Sequence, residues 1–156
     1  MANNYTQIYV QLVFAVSGRA SLIRPEFEDN LYRYINGIIT KRKHTVIAIN
    51  GLADHIHILI GLHPDQSISD LVRDIKSNSS RYVNESKWIA GRFEWQRGYG
   101  AFLYSKSHVE QVKHYVEHQK AHHAKWNFES EMKHILDSLG IPYENEYMFQ
   151  WISTDY

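Results

Sequence analysis

The spacing of apolar positions changes several times along the 156-residue chain, and each change marks an element. Residues 5–16, YTQIYVQLVFAV, are β-branched and aromatic and predict a mostly buried strand. Pro25 stands where the first turn of a helix tolerates it. Phe27, Leu31, Tyr34, Ile35, Ile38 and Ile39 follow at helical spacing, to an end near Lys43. Residues 44–49 and 55–61 predict two strands of a hairpin that turns from Asn50-Gly51 to Asp54. Ser67 and Asp70 have the spacing of a capping box, ahead of a helix that buries Ile68, Leu71, Val72, Ile75, Tyr82 and Val83. The Gly- and aromatic-rich loop GRFEWQRGYG leads to a strand at about 101–105. Ser107 and Glu110 predict a second capping box and a helix to about 123. A last helix is expected from about 128 to 139, stopped by Gly140 and Pro142.

The order is β-α-β-β-α-β followed by helices. It predicts an α+β, ferredoxin-like fold: an antiparallel sheet with helices packed on it and added C-terminal helices. No repeat or linker interrupts the chain. Residues 1–156 read as one domain, with a core over about 5–123 and a helical extension over about 124–156. The fold alone says little about activity.

Composition narrows the chemistry. There are no cysteines, which excludes thiolate metal sites, disulfides and cysteine nucleophiles and suits a reducing cytoplasm. No apolar run approaches the ~20 residues that span a bilayer, and MANNYTQIYVQ lacks the basic start and apolar centre of a signal peptide. Net charge is zero, but residues 1–126 carry 16 Lys/Arg against 11 Asp/Glu, and 127–156 carry one against six. A basic body with an acidic C-terminal segment can bind a polyanion on one face.

Three constellations could carry chemistry. In Asp54-His55-Ile56-His57-Ile58-Leu59-Ile60, strand alternation puts His55 and His57 on one face, away from the isoleucine core. Two imidazoles so placed can ligate one divalent cation, or can simply be polar residues on a solvated face. Asp54 is a candidate supporting group. On the helix SHVEQVKHYVEHQKAHH, Val109, Val112 and Val116 form the buried stripe, with Tyr115 and Gln119 together at its edge and His122 within ~60° of both. His114, His118 and His122 offer a rival, helix-only zinc site, although no His-Glu-x-x-His motif is present. The third is the run from Arg73 to Tyr104. Its six basic residues, Arg73, Lys76, Arg81, Lys87, Arg92 and Arg97, can track a phosphate backbone, while Phe93, Trp95, Tyr99, Phe102 and Tyr104 interleave and offer faces on which unpaired bases stack; Arg73, Lys76, Arg81, Arg92, Trp95, Arg97 and Tyr99 are the expected DNA contacts.

His55-Ile56-His57, the phrase WQRGYGAF and Tyr115-x-x-x-Gln119 followed by paired histidines stand here in one chain, in that order. Together they resemble the HUH single-tyrosine transposases of small insertion sequences (the insertion-sequence-200/605-like group) and the related REP-associated transposases. LVFAVSGR, GLADHIHILIGL and KSNSSRYVNE are similar too, and the resemblance covers roughly residues 5–145. It implies that His55, His57 and Gln119 bind a divalent metal, Mg²⁺ or Mn²⁺, and that Tyr115 is the nucleophile. It implies cleavage and rejoining of single-stranded DNA through a covalent 5′-phosphotyrosine, with a small DNA hairpin as the recognised substrate. It also implies a homodimer whose active site can be shared between subunits, working in a bacterial or archaeal cytoplasm at the nucleoid, with no membrane partner. A replication-initiator or relaxase-like nickase shares the chemistry. A non-catalytic single-stranded nucleic-acid-binding module shares the fold.

Overall fold

In a computed structural model, residues 4–122 and 126–142 are described, apart from the side chains of Arg19 and His122. Four antiparallel strands, β1 (Tyr9–Ala15), β2 (Thr45–Gly51), β3 (His55–Gly61) and β4 (Gly100–Tyr104), form one sheet in the order β2-β3-β1-β4. With α1 (Pro25–Lys41) and α2 (Ile68–Ser86) as the two crossovers, this is the expected ferredoxin-like arrangement. Three further helices follow: α3 (Lys106–Glu117), α4 (Gln119–His122) and α5 (Phe128–Ser138). Among the described residues no helix is long and apolar enough to cross a membrane.

Alternation on the strands decides what each face meets. Val10, Leu12 and Phe14 of β1 and Ile56, Ile58 and Ile60 of β3 point to α1 and α2, where they pack with Leu31, Ile35, Ile39, Leu71, Ile75 and Val83. Each such side chain, fully buried, contributes about 1.5–3 kcal/mol. The opposite face is covered as well. Val112 and Val116 of α3 pack on Ala48 and Leu59. Phe128, Met132, Ile135 and Leu136 of α5 pack on Val13, Ala15 and Phe102.

This second layer excludes the alternative in which His55 and His57 lie on a solvated face. Both are fully buried between the sheet and the later helices. Strand alternation assigns them to the face away from the isoleucines, but it cannot say what covers that face.

Local signals fare unevenly. Pro25 opens α1, and Ser67 Oγ accepts from the Asp70 backbone N–H at 3.1 Å to start α2. The second capping box is absent: α3 starts at Lys106, with Ser105 at the cap and no side-chain cap bond. The single helix expected to about 123 breaks at His118. No helix-breaking residue lies there. Asn50 of β2 takes the Glu117 carbonyl at 3.0 Å, and Lys120 reaches Glu28 of α1 at 2.5 Å. These bonds draw the chain to the β2 edge. The hairpin before His55 is equally constrained, because a Cβ on Gly51 would lie 2.2 Å from the His55 carbonyl oxygen.

Candidate active site

His55 and His57 leave β3 on the same side, and their rings stand 5.3 Å apart, edge to face. A different neighbour holds each Nδ1. Asp54 Oδ1 lies 2.7 Å from Nδ1 of His55. The Gln11 amide nitrogen donates to Nδ1 of His57 at 2.9 Å, while Gln11 Oε1 accepts from the Tyr104 hydroxyl at 3.0 Å. Both Nε2 atoms are thereby turned into one space. Phe128 stacks on His55, with ring centroids 4.4 Å apart, and closes that space from α5.

Tyr115 and Gln119 enter from α3 and α4. The Tyr115 ring stands 5.9 Å from that of His57, and Gln119 Oε1 lies 3.4 Å from His55 Nε2. All four side chains therefore meet within one chain. The resemblance left open whether Tyr115 serves its own histidines, and in this structure it stands beside them.

A residue outside the expected set completes the cluster. Glu131 of α5 is 1% exposed. Its Oε1 accepts from His57 Nε2 at 2.7 Å and lies 3.4 Å from His55 Nε2. Its Oε2 accepts from the Tyr115 hydroxyl and, at 3.2 Å, from the Gln119 amide. The sequence held a signal for it. Glu131 falls in step with Phe128, Met132, Ile135 and Leu136, a carboxylate inside an otherwise apolar stripe. Gln11 had a similar signal, being a polar residue in a strand buried along almost its whole length.

The electrostatics follow from burial. Burial alone would lower the His55 pKa, but bonds and charge from Asp54 and Glu131 outweigh it and raise it to about 9. Burial raises the Tyr115 pKa well above the ordinary phenol range. The charge and hydrogen bond of Glu131 add to this, and a hydrogen bond from Gln119 partly opposes it.

The donor atoms suit a divalent cation. One ligand atom from each of His55, His57 and Glu131 lies within 4.8 Å of the others, and no other such group occurs among the described residues. Of the rival helix-only zinc ligands, the His114 and His118 rings stack at 3.9 Å, with His118 Nδ1 bonded to the His114 carbonyl. The His122 side chain, also expected to support the site, lies outside the described residues.

The seven expected DNA contacts all line one open groove of about 1410 Å³ between α2 and the 92–99 loop. Arg73, Arg81, Arg92 and Arg97 are exposed along it. Arg73 pairs with Asp70, Arg92 with Glu94 and Arg81 with Asn78, and Lys76 and Trp95 are committed further. Lys76 Nζ donates to the Gln96 and Gly98 carbonyls at 2.6 and 2.5 Å, bracing the loop, and burial lowers its pKa to about 8. Trp95 donates its indole N–H to Ser79 at 2.8 Å and packs edge-on against Phe14, so it forms a wall. Tyr99 is half-buried at the other end of the loop. Groove and histidines meet at the end of β1, where Ala15 pairs with His55 and the next residue, Val16, bridges to Trp95.

Residues 4–119 match the family described as "Transposase IS200 like". The chain belongs to this family. The ISDra2 transposase TnpA of Deinococcus radiodurans is 27% identical to this IS200-like transposase over 118 residues, 72% of this chain and 84% of that protein. Two solved structures share the fold at a TM-score of 0.60. One is a candidate transposase from D. radiodurans, 24% identical, covering 76% of this chain and 96% of its own. The other is a REP-associated tyrosine transposase bound to a REP hairpin, 16% identical, covering 79% of this chain and 73% of its own.

Proposed function

We propose that this transposase cuts and rejoins single-stranded DNA, with Tyr115 as nucleophile and Mg²⁺ or Mn²⁺ on His55, His57 and Gln119. The observation that carries the reading is the convergence of Tyr115 and Gln119 on the two histidine Nε2 atoms of the same chain. The Tyr115 oxygen attacks a phosphodiester phosphorus. An O–P bond to the enzyme forms, the bond to the 3′ oxygen breaks, and that oxygen leaves as a free 3′-hydroxyl. The DNA 5′ end stays on the tyrosine as an aryl phosphodiester, a good leaving group, so another strand's 3′-hydroxyl can reverse the step without ATP. A divalent cation on these ligands supplies Lewis-acid polarisation of the phosphate. Packing holds the Tyr115 ring, and a hydrogen bond from Gln119 partly opposes the rise in its pKa that burial and Glu131 impose.

The substrate in this reading is a DNA hairpin with an unpaired flank. The REP-associated relative bound to a REP hairpin supports that choice, as does the arginine-lined groove beside the site. The homodimer implied by the resemblance would then bring together two sites, each complete in its own chain. Residues 1–156 act as one domain.

The test uses single-stranded hairpins from the DNA flanking the gene. Incubation with Mg²⁺ should give a covalent adduct on a denaturing gel, and Tyr115→Phe should abolish it while hairpin binding persists. An adduct that survives in Tyr115→Phe refutes the assignment and moves it to Tyr104 or Tyr99. Joining of the held end to a second strand separates a transposase from an initiator-type nickase. Equal affinity for hairpin and perfect duplex, with no adduct, would indicate a binding module.

A further inference from the structure

We infer that Glu131 is a further protein ligand of the active-site cation and holds Tyr115 beside it, which makes α5 part of the catalytic machinery. The inference rests on the metal reading above. Residues matched to the family end at 119, short of α5, so nothing in the shared motif assigns Glu131 a role.

Geometry is the first argument. Neighbouring ligands of a six-coordinate cation with bonds of about 2.1 Å stand about 3 Å apart. Glu131 Oε1 lies 2.7 Å from His57 Nε2 and 3.4 Å from His55 Nε2, on either side of that spacing. All three donor atoms lie within 4.8 Å of one another, close enough to share one ion. The second argument is chemical. Two imidazoles and an amide are a poor set for hard cations such as Mg²⁺ and Mn²⁺, which favour carboxylate oxygen. Glu131 supplies that oxygen and lowers the net charge of the filled site from +2 to +1. The third argument is the division of labour between its two oxygens. Oε1 faces the histidines, while Oε2 accepts from Tyr115 and Gln119. One carboxylate therefore fixes the nucleophile relative to the cation. It also gives Gln119 a positioning bond in addition to any contact with the ion.

The test measures Mn²⁺ binding without DNA, by calorimetry and by electron paramagnetic resonance, on the full chain. Glu131→Gln should weaken Mn²⁺ binding by at least about tenfold, as should His57→Ala, with circular dichroism reporting an intact fold. Unchanged or tighter binding in Glu131→Gln, with His57→Ala weakened, overturns the inference alone. It would make Glu131 a competitor standing in the cation's place. A wild-type protein that binds no Mn²⁺ overturns the metal reading together with this inference. If Glu131→Gln does not fold, Glu131→Asp keeps the charge and draws the carboxylate back by one methylene. It should change both the affinity and the Mn²⁺ spectrum, and an unchanged spectrum overturns the inference.

Discussion

The hydroxyl of Tyr115 donates to the carboxylate of Glu131, on the next long helix of the same chain. Both helices lie against the histidine face of their own sheet. Asn50 and Lys120 fasten the α3–α4 junction to β2 and α1, which holds Tyr115 beside the histidines of its own chain.

A complementation experiment follows. Tyr115→Phe and His57→Ala should each be inactive alone. Co-expressed, they should stay inactive, because a mixed dimer contains no chain with both groups. Recovery of the covalent adduct, with heterodimers verified by tagged pull-down, would show that the tyrosine crosses between subunits.

The neighbours of the two Nδ1 atoms should tune cation binding. A metal on His57 Nε2 needs the ring proton at Nδ1, and Gln11 can accept that proton only by turning its amide, presenting its nitrogen to Tyr104. Gln11→Leu removes this partner, and Asp54→Ala removes that of His55. Each should lower Mn²⁺ affinity by about 10–100-fold in calorimetry.

Phe128 joins the site to the core. It is 2% exposed, stacks on His55 and packs in the α5 cluster. Phe128→Ala should destabilise the protein by about 3–5 kcal/mol in urea titration. Phe128→Leu, which keeps most of the apolar volume, should cost less than Phe128→Ala.

Lys76 should leave a pH signature. Its pKa is lowered to about 8 in the folded protein, against about 10.4 in an unfolded chain. Between these values the unfolded state binds more protons, so this group's contribution makes stability rise with pH. The stability of wild type relative to Lys76→Met should therefore increase from pH 8 to pH 10. A flat difference in denaturation midpoints across that range would contradict the shift.

Much of this was legible in the sequence. Period-two and period-3.6 patterns placed all four strands and both crossover helices, because each element buries one face against a single core. That His55 and His57 share a strand face, and that Tyr115 and Gln119 share a helix edge, was legible from spacing, while the roles proposed for them came from the resemblance. Glu131 and Gln11 stood out only as polar residues in apolar stripes, and their partners were not legible because these arise where α5 and β1 meet β3, far apart in the chain. The break at His118 was hidden for the same reason: its cause is Asn50, 67 residues before Glu117. Lys76 and Trp95 both line the groove, but local spacing could not reveal that Lys76 is spent on loop carbonyls and the Trp95 N–H on Ser79 of α2.

The end of β1 has a mechanical consequence. The groove lies on the α2 side of the sheet and the histidines on the other, separated by one step of a central strand. A polynucleotide that occupies both has to pass from one face of the sheet to the other. Duplex DNA, stiff over about 150 base pairs, resists such a turn, while an unpaired strand takes it freely. Bending stiffness then becomes a filter on the substrate, set by the width of the protein and indifferent to which bases pass.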